Sequence, residues 1–316
     1  MASIRALRKR IKSIGNLSQV TRAMEMVAAS RMRRAQEQVK ASRPYAAKAW
    51  ELLSQLALQD GVESSNPLLL DPKKTENICL ILITGNRGLA GGYNSAVIRE
   101  ITDFINKTSK DKVKLITVGK KGRDFMRRIG YTIEAEFGEL PNSPSEKDVS
   151  PIARCVIDMF LQGESDAVYI GYTDFVNVLR QEPWVRQLLP VKLNFKANGN
   201  ISDSVDSRTP VMNQFFRDAP APIPGGYSYE PSSEVVLDLI VKRFIEMQIY
   251  QAVVESLASE HAARMVAMRN ATQNANDLVK DLKITYNKLR QQVITEEMLD
   301  IVGGAEALAT DQANDR

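Results

Sequence analysis

A glycine-rich stretch directly after an apolar run contains the residue types best suited to binding a ligand. Residues 78–83 are all apolar, and four glycines follow them within nine residues: Gly85, Gly88, Gly91 and Gly92. In many α/β proteins a strand, a turn and a helix N-terminus bind phosphate, because free N–H groups and the helix dipole converge there. The stretch therefore suggests a phosphate site as a first hypothesis, with Arg87 as a further anion ligand.

The spacing of these glycines matches neither common phosphate-binding motif. A dinucleotide site requires G-x-G-x-x-G, and a phosphate loop requires G-x-x-x-x-G followed by Lys and then Ser or Thr. Here the first three glycines recur every third residue, and no Lys-Ser or Lys-Thr pair closes the turn. A tight strand-to-helix turn needs glycines for its backbone angles alone. We therefore favour a structural turn without a cofactor; a nucleotide-binding α/β enzyme with helical arms is the alternative.

The other residues that could do chemistry are scattered along the chain. His261 is the single histidine, which argues against a histidine-based metal site or a nucleophile relay. Cys79 and Cys155 each lie in apolar sequence, which favours reduced thiols over a disulfide. The acidic residues form no paired motif: examples are Asp103, Asp124, Asp158 and Asp174. We predict no catalytic residue and no metal site, and expect that the chain is not itself an enzyme.

Two long helices flank this stretch. No proline occurs from Val235 to Arg316, and no glycine from Val235 to Val302. A helix over the glycine-free part would be roughly 100 Å long, so it needs a partner along its length. The first ~55 residues can supply that partner if they form a helix of their own. This arrangement favours a mechanical or scaffolding part.

The N-terminal helix carries a heptad-like apolar seam, which begins with Ile4, Leu7, Ile11 and Ile14. We expect the seam to shift by one step to Leu17, Val20, Met24 and Val27. A second shift leads to Ala28, Met32, Ala35 and Val39. Pro44 should kink or end the helix, with a second helical piece from Tyr45 to Gln59.

The C-terminal helix has a matching seam. Ser232 or Ser233 is the expected N-cap. The seam residues alternate at intervals of three and four: Met247, Tyr250, Val254, Leu257, His261, Arg264, Met268, Ala271, Ala275, Leu278 and Leu282. Polar members such as His261 and Arg264 weaken the pairing of two helices but fix their register.

The middle of the chain changes to a strand–helix alternation, which predicts a parallel sheet. Strands are expected at 76–84, 112–118, 131–137 and 167–173, with an edge strand at 188–195. Helices are expected at 94–107, 123–129 and 149–162. The domains are accordingly an N-terminal helix (1–60), an α/β domain (75–230) with a polar insertion (196–226), and a C-terminal helix (231–316).

Charge is concentrated at the N-terminus. Residues 1–50 contain twelve Lys and Arg and two acids, a net of +10 in a chain whose total is +4. A transit peptide and a nucleic-acid-binding helix are two explanations. The first is disfavoured by the length of the pattern, and the second by the lack of a zinc pattern or an aromatic platform. A solvated coiled-coil face beside an acidic protein partner is favoured.

Several blocks of sequence resemble the gamma subunit of F-type ATP synthases, of the bacterial type. The resemblance extends over nearly the whole chain and rests on residues 24–32, 84–94, 258–268, 286–291 and 294–308. It implies a fold in which the terminal helices form a long antiparallel coiled coil and the middle forms a Rossmann-like α/β domain with a parallel sheet. It also implies a rotor that transmits torque between a membrane ring of c subunits and a hexamer of alpha and beta subunits.

The same resemblance implies partners and contact residues. One copy would bind the alpha and beta subunits, the epsilon subunit and the c-ring, without nucleic acid, and would reach the membrane only through the ring. The contacts to the beta-subunit catch loop are Met24, Arg290, Gln291 and Thr295. The residues facing the c-ring and epsilon are Tyr227, Tyr229 and Glu230. The resemblance places the protein at the cytoplasmic face of a bacterial membrane. No cysteine pair for thiol regulation is present in 196–226.

Overall fold

The computed structural model describes residues 4–57, 66–72, 76–108, 113–138, 140–192 and 229–314, without the side chains of Arg43, Ser54, Ala57 and 306–314. The helices are α1 (Ile4–Ala57), α2 (Tyr93–Thr108), α3 (Lys120–Arg128), α4 (Glu146–Leu161) and α5 (Ser233–Asn314). The strands are β1 (Ile78–Ile83), β2 (Val113–Val118), β3 (Ile133–Phe137), β4 (Ala167–Phe175) and β5 (Gln181–Leu189). The polar insertion at 196–226 lies outside the described residues.

The chain forms two compact units. The first contains residues 1–26 and 267–316, and the second contains residues 27–266. In its described part, the first unit consists of the start of α1 and the distal part of α5. The second unit contains the sheet, the three short helices and the remaining parts of α1 and α5.

The sheet has the strand order β3-β2-β1-β4-β5. Its first four strands are parallel, as predicted from the strand–helix alternation. β5 is an edge strand, antiparallel to β4, and covers 181–189, so the edge strand predicted at 188–195 was placed too late; 193–195 lie outside the described residues. Only five residues join β4 to β5, which is too short for the crossover that a parallel strand requires.

Alternating side chains of β1 divide the core of the second unit into two layers. Leu80 and Leu82 pack against α2 and α3, with Val97, Ile101 and Met126 as neighbours. On the opposite face, Cys79, Ile81 and Ile83 belong to the larger cluster, which includes side chains of α4, α1 and α5 such as Val156, Leu53, Phe244 and Val253. The helices therefore cover both faces of the sheet, as expected for parallel strands.

α1 does not end at Pro44, where we had expected a kink or an end. Proline removes one backbone donor, which costs about 3 kcal/mol in a helix interior. Val39, Ala46 and Leu53 are buried in the large core cluster on both sides of the proline, and this burial favours a helix that continues.

No helix in the described ranges is both long and apolar enough to cross a membrane.

α5 begins as the sequence predicted. The N–H of Val235 donates to Ser232 Oγ at 3.4 Å, so Ser232 provides the N-terminal cap. Val236 N–H donates to the Ser232 carbonyl oxygen at 3.2 Å. The helix then runs without interruption to Asn314.

Candidate functional site

The first unit is an antiparallel helix pair held by polar contacts. Ser18 Oγ donates to Asn276 Oδ1 at 2.7 Å, and the hydroxyls of Thr21 and Thr272 lie 2.7 Å apart. Arg269 Nε donates to Glu25 Oε1 at 2.9 Å. The two residue numbers of each pair sum to 293 or 294, which is the signature of antiparallel helices in one constant register.

The seam of α1 keeps one heptad pattern, and the predicted shift to Leu17, Val20, Met24 and Val27 is wrong. Leu17 is 55% exposed, Val20 56% and Met24 37%, whereas Ser18 and Thr21 are buried. At heptad spacing, the buried or half-buried residues of the first unit include Leu7, Ile11, Ile14, Ser18, Thr21 and Glu25. The same spacing continues in the second unit through the buried Ala28, Met32, Ala35 and Val39, as predicted. Leu17, Val20 and Met24, spaced i, i+3 and i+7, instead form an exposed apolar stripe.

The seam of α5 also differs from the prediction in its distal part. Leu278 is 42% exposed, and Val279 is half-buried in its place. Thr272, next to the predicted and likewise half-buried Ala271, makes a cross-helix hydrogen-bond contact. A heptad pattern of polar and apolar residues therefore determines the pairing, and apolar type alone does not identify its members.

The structure separates the predicted contact residues into two levels of the pair. By its register, residue 290 lies opposite residue 4, so Met24 is twenty residues further along α1, roughly 30 Å. Arg290, Gln291 and Thr295 are exposed and lie close together on α5, with Thr295 Oγ1 donating to the Gln291 carbonyl oxygen at 2.9 Å. Beside and beyond them α5 exposes Ile294, Met298, Leu299, Ile301 and Val302.

The glycine turn between β1 and α2 uses its polar groups internally. Gly85 N–H donates to Asn94 Oδ1 at 2.9 Å, and the Gly85 carbonyl oxygen accepts from Lys121 N–H at 3.1 Å. Lys120 N–H donates to Asn86 Oδ1 at 3.0 Å. Gly85 N–H, one of the backbone donors that a phosphate ligand could use here, is therefore already bonded within the chain. Gly91 has a φ of 55°, which suits a residue without a Cβ. Gly88 and Gly92 are exposed to solvent.

A helix of the chain itself fills the crevice above the carboxyl ends of β1 and β4. The strand order reverses between these two strands, and open α/β sheets bind their ligands at such a point. Here Ser256 Oγ accepts from Thr173 N–H at 3.2 Å, and Ser259 Oγ donates to the Thr173 carbonyl oxygen at 3.2 Å. Both serines are buried and belong to α5.

Glu260 and Arg264 complete this contact with the glycine turn. Arg264 Nη2 donates to Glu260 Oε1 at 2.6 Å and to the Gly88 carbonyl oxygen at 3.3 Å. A Cβ on Gly85 would lie 2.9–3.0 Å from the carboxyl atoms of Glu260. The remaining space is a cavity of about 30 Å³ lined in part by Thr84, Tyr93 and Glu260, which is room for about one water.

His261 lies beside this contact and is 4% exposed. Burial, followed by the charges of Arg264 and Arg31, lowers the pKa of His261 to about 4. The imidazole is therefore neutral near pH 7, with Nδ1 at 3.5 Å from Arg264 Nη1. Across the residues whose placement is described, no group of three or more His, Cys, Asp or Glu could hold a metal ion.

Sequence reasoning missed the roles of Ser256, Ser259 and Glu260. The sequence contained a signal for these roles: polar residues cluster between 255 and 261, in a part of α5 whose other residues are apolar and mostly buried. Among the residues predicted to face the ring, Tyr229 packs on the large core cluster and Glu230 is exposed. Tyr227 lies outside the described residues.

Comparison with known proteins relates the whole chain to one family. The family model described as ATP synthase matches residues 3–308. An ATP synthase gamma chain of Dehalococcoides mccartyi is 43% identical over 98% of this chain and 100% of its own length. One of Herpetosiphon aurantiacus is 44% identical over 98% of this chain and 99% of its own.

A solved structure has a similar fold. A chain in the cryo-EM structure of the Euglena gracilis mitochondrial ATP synthase (OSCP/F1/c-ring, rotational state 3) superposes with a TM-score of 0.65 at 20% identity. The superposition covers 98% of this chain and 95% of the other. At this level of identity the likeness concerns the fold alone.

Proposed function

Because this chain belongs to the family of ATP synthase gamma chains, we propose that it is the rotor in the central stalk of an F-type ATP synthase. It transmits torque between a membrane ring of c subunits and the catalytic sites of an alpha/beta hexamer, and so regulates ATP hydrolysis and proton flow. The full-length likeness to gamma chains carries this proposal, since both terminal helices and the sheet domain lie within the matched residues.

In this proposal the chain moves and does no covalent chemistry. Its crevice at the carboxyl ends of β1 and β4 holds Ser256, Ser259 and Glu260 in place of a nucleotide. A chain of this kind acts by changing which contacts its partners make, as a ligand does when it shifts a conformational equilibrium.

The helix pair of the first unit is the part that contacts the hexamer. Met24 at one level and Arg290, Gln291 and Thr295 at the other are the proposed contacts to the beta subunits. The net charge of +10 in residues 1–50 favours acidic surfaces on these partners, and such complementarity steers association and fixes register.

The sheet domain is the part that docks on the epsilon subunit and the c-ring. Tyr227, Tyr229 and Glu230 are the residues proposed to face the ring. One copy of the chain serves each complex. The protein is then peripheral at the cytoplasmic face of a bacterial membrane and is held there through the ring.

The test is the ATPase activity of purified cognate alpha and beta subunits with and without the full chain, combined with gel filtration. We expect a complex with one copy of the chain per hexamer and a stimulated ATPase. An unrelated basic protein at the same concentration is the control for charge. Absence of complex and stimulation, together with saturable ATP binding by the isolated chain, would overturn the proposal in favour of a nucleotide-binding protein.

A further inference from the structure

Glu260 packs closely against the backbone of the glycine turn at Gly85. An ideal Cβ on Gly85 would lie 2.9 Å from Glu260 Cδ and 3.0 Å from each carboxyl oxygen. A Cβ at Gly85 would force the carboxylate to shift, so the lack of a side chain there lets Glu260 sit at this distance from the turn. The long helix α5 thus touches the turn directly.

Arg264 closes the same contact from the other side. Its guanidinium binds Glu260 at 2.6 Å and the Gly88 carbonyl oxygen at 3.3 Å, so it links α5 to a second point of the turn. The two side chains are only 13% and 10% exposed. At this low exposure, removing one partner would leave an uncompensated charge against the turn.

The turn itself is attached to the rest of the sheet domain. Asn94 at the start of α2 accepts from Gly85 N–H, and the first turn of α3 donates to the Gly85 carbonyl oxygen and to Asn86. Ser256 and Ser259 bind Thr173 at the end of β4. A displacement of α5 at Glu260 therefore disturbs the ends of two strands and two helices together.

We propose that Glu260 and Arg264, seated on Gly85 and Gly88, form a latch that fixes α5 to the carboxyl edge of the sheet, so that helix and sheet domain rotate as one body. These are positioning residues. The inference rests on the proposed rotor function, because a part that transmits torque must not slip where its helix meets the domain that is driven.

The test uses a variant that removes the charges and keeps the volume. Glu260→Met/Arg264→Met replaces both partners by apolar side chains, a change that is often neutral for folding, whereas a single replacement leaves a buried charge. Lys242→Met is the matched control, since Lys242 and Asp238 form an i,i+4 pair on the same helix at 2.7 Å, with 44% and 51% exposure.

The first readout is proton pumping per ATP hydrolysed by reconstituted complexes. We expect the double variant to assemble and to hydrolyse ATP within about twofold of wild type, as a conservative change outside a catalytic site should. Its pumping per ATP should fall several-fold, and the control should match wild type. Unchanged pumping per ATP would overturn the latch, and so would loss of assembly, hydrolysis and pumping in equal proportion.

The second readout does not depend on the rotor function. Hydrogen exchange of the backbone amides of 85–92 in the full-length chain should speed up several-fold in the double variant and stay unchanged in Lys242→Met. Equal exchange in both variants overturns the latch even when the wild-type complex is active. If the wild-type chain fails to stimulate ATPase while its variant shows faster exchange, the rotor proposal fails and the local contact stands.

Discussion

The hydroxyl oxygens of Thr21 and Thr272 lie 2.7 Å apart across the antiparallel helix pair. Each hydroxyl also has a carbonyl acceptor on its own helix, Ser18 for Thr21 and Met268 for Thr272. Because a hydroxyl has a single hydrogen, only two of these three contacts can be hydrogen bonds at one time. The layer is satisfied either way, and it is one of three successive polar layers, between Ser18–Asn276 and Glu25–Arg269, that together hold the register of the pair.

Replacing both threonines by valine should therefore not destabilise the helix pair. Thr21→Val/Thr272→Val keeps the shape of the layer, and loss of both partners of a buried polar pair is nearly neutral or stabilising. We expect a free energy of unfolding equal to or up to about 1 kcal/mol above wild type. Thermal unfolding of the full chain measures this, with Thr285→Val as the exposed control on the same helix. A loss above about 2 kcal/mol would show that the pair stabilises the fold.

Much of the sheet domain could be predicted from local sequence. β1, β2, β4 and the helices between them have patterns that neighbouring residues determine, and the predicted bounds of these strands differ from the structure by two residues or fewer. β5 could not be found in this way. Four of its nine residues are polar or charged, it contains Pro183, and its first seven side chains are only half-buried, so its pairing with β4 identifies it.

The prediction of the α1 seam was wrong for a related reason. An apolar criterion selects Leu17 and Val20, but the partners of the true seam lie about 250 positions away in the sequence. Ser18 is a seam residue because Asn276 lies opposite it, and neither residue reveals this alone. The family resemblance was carried by whole blocks of sequence and is confirmed by the full-length relatives.

Gly119 should be the least replaceable glycine at the sheet edge. Its φ is 97°, and an added Cβ would lie 2.1 Å from the Thr84 carbonyl oxygen. Gly119→Ala should lower the free energy of unfolding by about 3 kcal/mol or more, because backbone strain and overpacking add. Gly88→Ala is the matched control: nothing lies within 4 Å of the added atom, so the expected change is under about 1 kcal/mol. Urea unfolding of the two variants tests the contrast, and equal losses contradict it.

Protonation of His261 should destabilise the fold in acid. The folded pKa is about 4, below the ordinary 6.5, because of burial and the charges of Arg264 and Arg31. As pH falls, the unfolded chain takes up the proton first, so the stability contributed by the neutral ring is complete above pH 6.5 and is lost between about 6.5 and 4. The glutamine side chain in the His261→Gln variant does not titrate. The stability of wild type relative to this variant should therefore fall by about 2–3 kcal/mol from pH 7 to pH 4.

The measurement is the difference between the two pH profiles of the free energy of unfolding. Carboxylates titrate in the same range in both proteins and cancel in the difference. A constant difference across this range would mean that the folded histidine titrates near its ordinary pKa. The neutral, buried ring would then not be the state of His261 in solution.

Charge reversal at Arg290 should weaken coupling between rotation and catalysis. Arg290 is exposed on α5 at the level where the described part of α1 begins, one position before Gln291, so it can contact a partner without being needed to pack the helix pair. Arg290→Glu replaces an attraction to an acidic partner by a repulsion, which costs several kcal/mol where the charges meet. ATP synthesis by reconstituted complexes should fall several-fold.

Lys288→Glu, an equal change of charge two residues away on the same exposed helix, is the control. If both variants synthesise ATP at the wild-type rate, Arg290 is not a contact to the beta subunits; if both fall equally, the net charge of this region matters and the individual residue does not.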